Sequence, residues 1–434
     1  MPTAGPHASS VRSLGILTTT TRHDPPFENR SFYRRLCSLG RKLKLQVFVF
    51  TPESVDWEQS EVSGFEYDTR SQCWIGRSFA LPALVYDRCF FTTRRQYTEY
   101  RQTMEKLRKR PDIRLLGCGL KGKWDVHRLL TADGRFDRYL PPTERLRSTR
   151  RLIQWLEQYG EALLKPSGGS QGRGVLHLRQ ESRDPQTRYT VRGRDAHNTS
   201  IARGFADTTE LLGWLRLLIG GRSYLVQRYL RLHSRSGGAF DVRALVQKNG
   251  AGRWQLTGLG VRLGQDGSLT SNLHGGGRVE AAAPWLSREF GEKRAEAILA
   301  ELTQLCIWVP EALEAGHGRL AEVGLDFGID TDSRIWLLEA NSKPGRSIFT
   351  YLRDEQALSA SLASPLRYAD YLLDLASYEE AAAGTVVQAQ RRAACRRRPV
   401  QVQHEPTALP PSRVSGSLYR KSMPKRHRPL GGPS

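Results

Sequence analysis

Short apolar runs alternate with charged amphipathic stretches through the N-terminal part of the chain, a pattern that predicts strands and helices in turn. Ser13–Thr19 and Lys44–Phe50 read as strands, with a helix from about Asn29 to Leu39 between them and Gly40 as its stop. Pro82–Tyr86 reads as another buried strand, Arg94–Lys109 as an amphipathic helix and Ile113–Leu116 as a strand, which together make a small α/β domain over residues 1–115. A helix at Lys123–Leu130 runs into the Pro141–Pro142 break, and a further helix starts at Ser148, a suitable N-cap, and ends at Gly160. From Glu161 the pattern changes to strands with glycine-rich turns, at 161–165, 174–179, 223–229, 240–248, 253–263, 319–328 and 334–341. One long helix, about 290–315, interrupts them. These elements form a second, larger domain over 116–378, and the fold class is α/β (α+β).

After Tyr378 large apolar residues become scarce, and such a segment buries too little surface to offset its ordering entropy. Residues 379–434 are therefore expected to be a disordered basic tail. Of the formal charge of +22, +10 falls between Arg391 and Ser434, where eleven Lys or Arg face the single acid Glu405. The body is thus only mildly basic, so a nucleic-acid partner is expected, if anywhere, through the tail. Six scattered cysteines have no paired spacing that would suggest zinc or a redox couple. There is no apolar run of membrane-span length and no signal-like start, which predicts a cytoplasmic protein without a membrane partner.

Two acidic strands carry the chemistry. Asp326 and Glu339 sit in apolar surroundings, so each is either exposed at a strand edge or held against a cation. Glu339 and Asn341 share a face, and if the Asp326 strand pairs beside them three oxygen ligands converge, a hard set that suits Mg2+ with nucleotide phosphates. The same residues also fit an amphipathic hairpin with its acids in solvent. Upstream, Pro166 forces Lys165 into extended backbone at a strand end, and a loop with Gly168, Gly169, Gly172 and Gly174 follows. Glycines there let backbone N–H groups approach a phosphate, although a plain flexible turn has the same composition. No Gly-Lys-Ser/Thr follows, so this is not a P-loop. Tyr224–Leu230 is an apolar strand whose exit segment has backbone groups suited to an adenine ring, or is simply a core strand. Asp241 and Arg243 share one strand face, as a surface ion pair or with the arginine aimed at phosphate. Ser271–Gly277 adds a polar glycine loop.

Taken in order, these pieces resemble the ATP-grasp superfamily and, within it, the YheC/YheD family, described as endospore coat-associated proteins. The likeness covers about residues 115–375 and runs through Lys123-Trp124, Leu140-Pro141-Pro142-Thr143, the glycine loop and the stretch Gly324–Arg346. It implies an ATP-grasp fold behind a smaller N-terminal domain. It also implies ATP and Mg2+ as cofactors, with Lys123 and Lys165 on the nucleotide phosphates. Gly169, Ser170, Gln171, Gly172 and Gly174 would form the mobile loop, and Gln227, Arg228, Tyr229 and Leu230 would hold adenine. By the same resemblance Asp326, Glu339 and Asn341 are the metal ligands, and Arg243 and Arg346 neutralise the transferred phosphate. One departure is Gln227, where many ATP-grasp enzymes carry an acid. The implied activity is an ATP-dependent carboxylate–amine or carboxylate–thiol ligase acting through an acylphosphate. The alternative is a spore-coat-associated protein that keeps the fold and nucleotide binding without turnover, with coat proteins as partners.

Overall fold

Ser13–Leu17 is buried at every position, and its parallel neighbours Gln46–Phe50 and Leu84–Asp87 explain why: a strand flanked on both sides and covered on both faces is built mainly of apolar residues, and its one hydroxyl, Ser13 Oγ, accepts from Ala83 N–H at 3.2 Å. In the computed structural model, which describes residues 12–169, 172–181, 188–264 and 277–396, this strand is the centre of the N-terminal sheet. The helix Arg30–Lys42 covers one face together with residues of the last helix, Glu355–Arg396. Tyr33 and Leu36 pack with Leu14, Ile16, Leu362, Leu366 and Leu372 in one core. The helix Arg94–Lys109 covers the other face through Met104 and Leu107. The N-terminal strands thus share their core with a helix from the far end of the chain.

Two further sheets make up the rest of the described body. The loop-bearing sheet orders its strands Ser200–Phe205, Tyr189–Arg194, Leu176–Gln180, Glu161–Pro166, Tyr224–Gln227 and Thr143–Arg145. The C-terminal sheet orders Arg278–Ala281, Trp254–Leu263, Phe240–Lys248, Glu322–Ile329 and Ile335–Asn341, all antiparallel. Its outer face packs on the long helix Glu292–His317 and on Lys123–Thr131 through Ile298, Leu302, Leu305, Val126 and Leu130. Each such large side chain, fully buried, contributes about 1.5–3 kcal/mol.

Several expectations change. The first helix does not stop at Gly40 but continues to Lys42; a Cβ at Gly40 would lie 2.3 Å from Val47 Cγ2, so glycine is set there by helix–strand packing rather than by a turn. The helix Thr149–Tyr159 begins and ends as its caps predict, with Ser148 accepting from Arg151 N–H and Gly160 at φ 70°. The strands Cys73–Ala80 and Ser200–Phe205, paired with Glu61–Asp68 and Tyr189–Arg194, are exposed over much of their length, and apolar alternation does not reveal them. The last helix runs to Arg396, past the expected boundary at 378, and residues 397–434 lie outside the described residues. The chain divides into two units, Met1–Glu379 and Glu380–Ser434. Among the described residues no helix is long and apolar enough to cross a membrane.

Candidate functional site

The register of the C-terminal sheet sets Asp326 directly opposite Glu339 and Gly324 opposite Asn341. Partners in register share a face, so Asp326, Glu339 and Asn341 lie on the same side of the sheet; Asp326 and Glu339 line the cleft above it, and Asn341 does not. Gly324 makes room for Asn341 on that side. A Cβ at that position would come within 2.9 Å of Pro344 Cβ and 3.1 Å of Asn341 Oδ1, so only a glycine lets Asn341 lie over the strand.

The cleft above this face encloses about 1120 Å³, its open mouth included, and spans the two antiparallel sheets. From the loop-bearing sheet come Lys165, Gly169, Gly172, Arg173, Arg228, Tyr229 and Leu230; from the other come Asp241, Arg262, Asp326 and Glu339; Lys123 reaches in from the start of its helix. Gly169, Gly172 and Gly174 have φ of 103°, 72° and 73°, left-handed backbone that a side chain would strain, so the loop that joins Glu161–Pro166 to Leu176–Gln180 needs its glycines. Ser170 and Gln171 of that loop, and Ser271–Gly276 of the second glycine loop, lie outside the described residues.

Every acid on this face has a cation. Lys123 Nζ lies 2.6 Å from Glu339 Oε1. Arg243 grips Asp326 through two N–H groups, one of them at 2.9 Å from Oδ2. Arg262 makes two 2.6 Å bonds to Asp241 and reaches Asp326 Oδ1 at 3.1 Å. Asp241 and Arg243, adjacent on their face, are thus paired with Arg262 and Asp326 respectively. Burial acts to raise the Asp326 pKa, but Arg243 and Arg262 outweigh it and hold the carboxyl below its ordinary value. Burial likewise works against charged Arg262, and Asp326 and Asp241 overcome it.

Lys165 is different, because among the described residues no carboxylate touches it. Its Nζ donates to Gln227 Oε1 at 3.1 Å, and Gln227 Nε2 in turn donates to Thr143 Oγ1 at 2.7 Å. Burial first, and then the charge of Lys123, bring its pKa down to about 8, with Glu339 opposing weakly. The neutral amide at 227 is therefore what keeps this lysine without a counter-charge. Beyond Gln227 the strand ends, and among the described residues the N–H groups of Tyr229 and Leu230 donate to no protein acceptor. The Tyr229 ring stacks on His177 with centroids 3.7 Å apart, and Leu163, Val175 and Leu338 add apolar walls, an arrangement suited to a flat heterocycle.

Arg346 is not in this cleft. It is buried against Glu322, with Nη2 at 2.5 Å from Oε2, and lines a second cavity. Arg262 carries no signal in the sequence, and Thr143 only as the end of the Leu140–Thr143 run; strand register alone places both, since an arginine in an alternating strand is unmarked. Among the described residues no group of three or more His, Cys, Asp or Glu side chains is arranged to hold a metal ion. The Asp326/Glu339/Asn341 set is two carboxylates and an amide, all hard oxygen donors. The Asn341 side chain and the second oxygen of Glu339 have no hydrogen-bond partner among the described residues, which fits Mg2+ shared with phosphate oxygens.

The chain is similar to two proteins of Bacillus subtilis (strain 168). It is 27% identical to endospore coat-associated protein YheC over 360 residues, covering 83% of this chain and 96% of that one. It is 28% identical to endospore coat-associated protein YheD over 369 residues, covering 84% and 79%. Among solved structures, D-cycloserine synthetase DcsG aligns with a TM-score of 0.46 at 16% identity over 83% of this chain and 99% of that one. D-alanyl-alanine synthetase A from Vibrio cholerae aligns with a TM-score of 0.45 at 13% identity over 82% and 99%. The family model described as YheC/D like ATP-grasp matches residues 112–372, and the chain belongs to that family.

Proposed function

We propose that the cleft binds Mg-ATP and that the protein is an ATP-dependent carboxylate–amine or carboxylate–thiol ligase. The observation that carries this reading is the Asp326–Glu339 register, with Asn341 on the same face, beneath the Lys165 strand end and its glycine loop. Tyr229 and Leu230 would offer backbone N–H groups to adenine, Lys123 and Lys165 would hold the phosphates, and Asp326, Glu339 and Asn341 would hold Mg2+. The metal, when bound, supplies charge neutralisation at the phosphate oxygens. Arg262 and Arg243 steady Asp326 and add positive charge where phosphate charge develops. A substrate carboxylate oxygen would attack the γ-phosphorus with ADP leaving, and an amine or thiol would then attack the acyl carbon and release phosphate. No serine or cysteine is needed as a nucleophile.

Glu339→Ala should weaken Mg-ATP binding at least roughly tenfold in calorimetry, given the worth of a charged contact in a desolvated site. Equal affinity in wild type and variant would remove Glu339 from the site. Turnover on a panel of acids and amines or thiols should release ADP and phosphate in equal amounts; AMP and pyrophosphate would contradict the acylphosphate route. A second reading, a nucleotide-binding protein of the spore coat without turnover, is favoured by one observation: Asp326 and Glu339 already have arginine and lysine partners. Metal-independent ATP binding with no product release would support it. The proposal also takes the protein as cytoplasmic, with the coat as an alternative location, and as three segments, 1–115, 116–378 and 379–434. Removal of the last should leave Mg-ATP affinity unchanged and abolish salt-sensitive retention on polyanion resin.

A further inference from the structure

The strand Glu322–Ile329 carries a second charged cluster on the face that holds Asp326. Glu322 lies four residues before Asp326, with Gly324 between them, so both carboxylates point the same way, about 13 Å apart along the strand. Glu322 is buried and fully used. It accepts from Tyr86 Oη at 2.5 Å, Arg88 Nη1 at 2.8 Å, Arg346 Nη2 at 2.5 Å and Gln247 Nε2 at 2.9 Å. One carboxylate therefore serves two buried guanidiniums, at 6% and 9% exposure. Backbone oxygens of Pro344 and Ser361 take some of the remaining donors, and the Phe32 ring lies 5.5 Å from Arg88 and 4.5 Å from Arg346. None of these supplies a negative charge.

The same two arginines line a cavity of about 1610 Å³, its mouth included, between the helix Arg30–Lys42 and the loop Pro344–Arg346. Arg30 and Arg35 stand at its edge, and neither has a carboxylate partner among the described residues. Counting Glu28 on the wall and Glu322 behind it, four guanidiniums face two carboxylates. Arg88 Nε is buried with no hydrogen-bond partner among the described residues, and Arg30 and Arg35 add guanidinium donors at the mouth, so an anion entering here would meet both positive charge and open N–H groups. Planar guanidinium groups suit carboxylate and phosphate oxygens.

We propose that this cavity binds an anionic group, carboxylate or phosphate, carried by the ligase substrate on the order of 10 Å from the carboxylate that is activated at the Asp326 end of the strand. The substrate is then an elongated acid with at least two anionic groups. The assignment as a substrate site rests on the ligase reading, whereas anion binding itself does not.

Citrate and inorganic phosphate, titrated calorimetrically into the full chain, test it and separate the two anion chemistries. At least one should bind. The double variant Arg30→Gln/Arg35→Gln, at the cavity edge where folding is spared, should weaken that binding roughly tenfold or more. Lys165→Ala in the nucleotide cleft and Arg94→Gln on an exposed helix should leave it unchanged. The proposal is overturned if neither anion binds, if the double variant binds as wild type does, if Arg94→Gln weakens binding equally, or if Lys165→Ala abolishes it. Mg-ATP titrated in parallel keeps the two readings apart: absence of Mg-ATP binding sinks the ligase reading, and absence of anion binding with Mg-ATP intact sinks only this one.

Discussion

Asp326 and Glu322 sit on one face of one strand, and each is clasped by two arginines, yet the two clusters are built for different ends. Around Asp326 the partners come from neighbouring strands of the same sheet, Arg243 and Arg262, and Asp241 gives Arg262 a second carboxylate. Charges there nearly balance, and the cluster opens on the cleft under the glycine loop. Around Glu322 the partners come from distant parts of the chain. Arg88 follows an N-terminal strand and Arg346 follows the Asn341 strand end, so this carboxylate also ties the N-terminal lobe to the C-terminal sheet. Its side chain is 1% exposed, against 11% for Asp326. The same chemistry thus forms a charge-balanced cluster lining a cleft in one place and a buried joint with surplus positive charge in the other.

The largest effect expected is from neutralising the joint. Glu322→Gln leaves two buried guanidiniums without a counter-ion and should cost about 3–5 kcal/mol in urea denaturation. Asp326→Asn should cost less, about 1–2 kcal/mol, because Arg262 keeps Asp241 and Arg243 is nearer water. Equal losses would erase the distinction between the two clusters. Next is the floor between them: Gly324→Ala presses on Pro344 and Asn341 and should cost about 1–3 kcal/mol while weakening Mg-ATP binding. Stability loss with no change in nucleotide affinity would detach Asn341 from the site.

The smallest effects are in pH. Lys165 has an ordinary value of 10.5 and a folded value of about 8. Below about pH 8 the lysine is charged in both states and the folded protein bears the full cost; the cost fades between 8 and 10.5 and is gone above. Mg-ATP affinity should accordingly fall as pH rises past about 8, with proton uptake on binding seen as a buffer-dependent calorimetric heat. Gln227→Glu supplies the missing counter-charge and should move that fall to higher pH. An unchanged profile would mean that Lys165 does not contact the nucleotide.

Much of the fold was legible because its signals are local. Ser148 and Gly160 bound their helix through caps that act within one turn, and Lys165-Pro166 with its glycines sits at a strand end as read. Non-local signals are not legible in this way: Gly40 looks like a helix stop although its role is to admit Val47, five residues beyond the helix end, and the polar strands near 73–80 and 200–205 have no apolar alternation to betray them. In the site, alternation along one strand paired Glu339 with Asn341, and the acids' need for a partner was plain from burial in apolar sequence.

The sequence by itself therefore determined which chemistry is present: hard oxygen donors in two apolar strands, Glu339 and Asn341 on one face, a lysine held extended by proline, and a glycine-rich loop behind it. Side-chain period and backbone sterics are properties of the chain, and they hold before any tertiary contact forms. Which cation meets which acid was decided only by the tertiary structure. Asp241 took Arg262 rather than its strand neighbour, Lys123 crossed to Glu339, and Arg346 lies away from the glycine-loop cleft, against Glu322. Register and long-range packing set those pairs, because charges attract over any sequence separation and the fold alone fixes which of them lie within 3 Å.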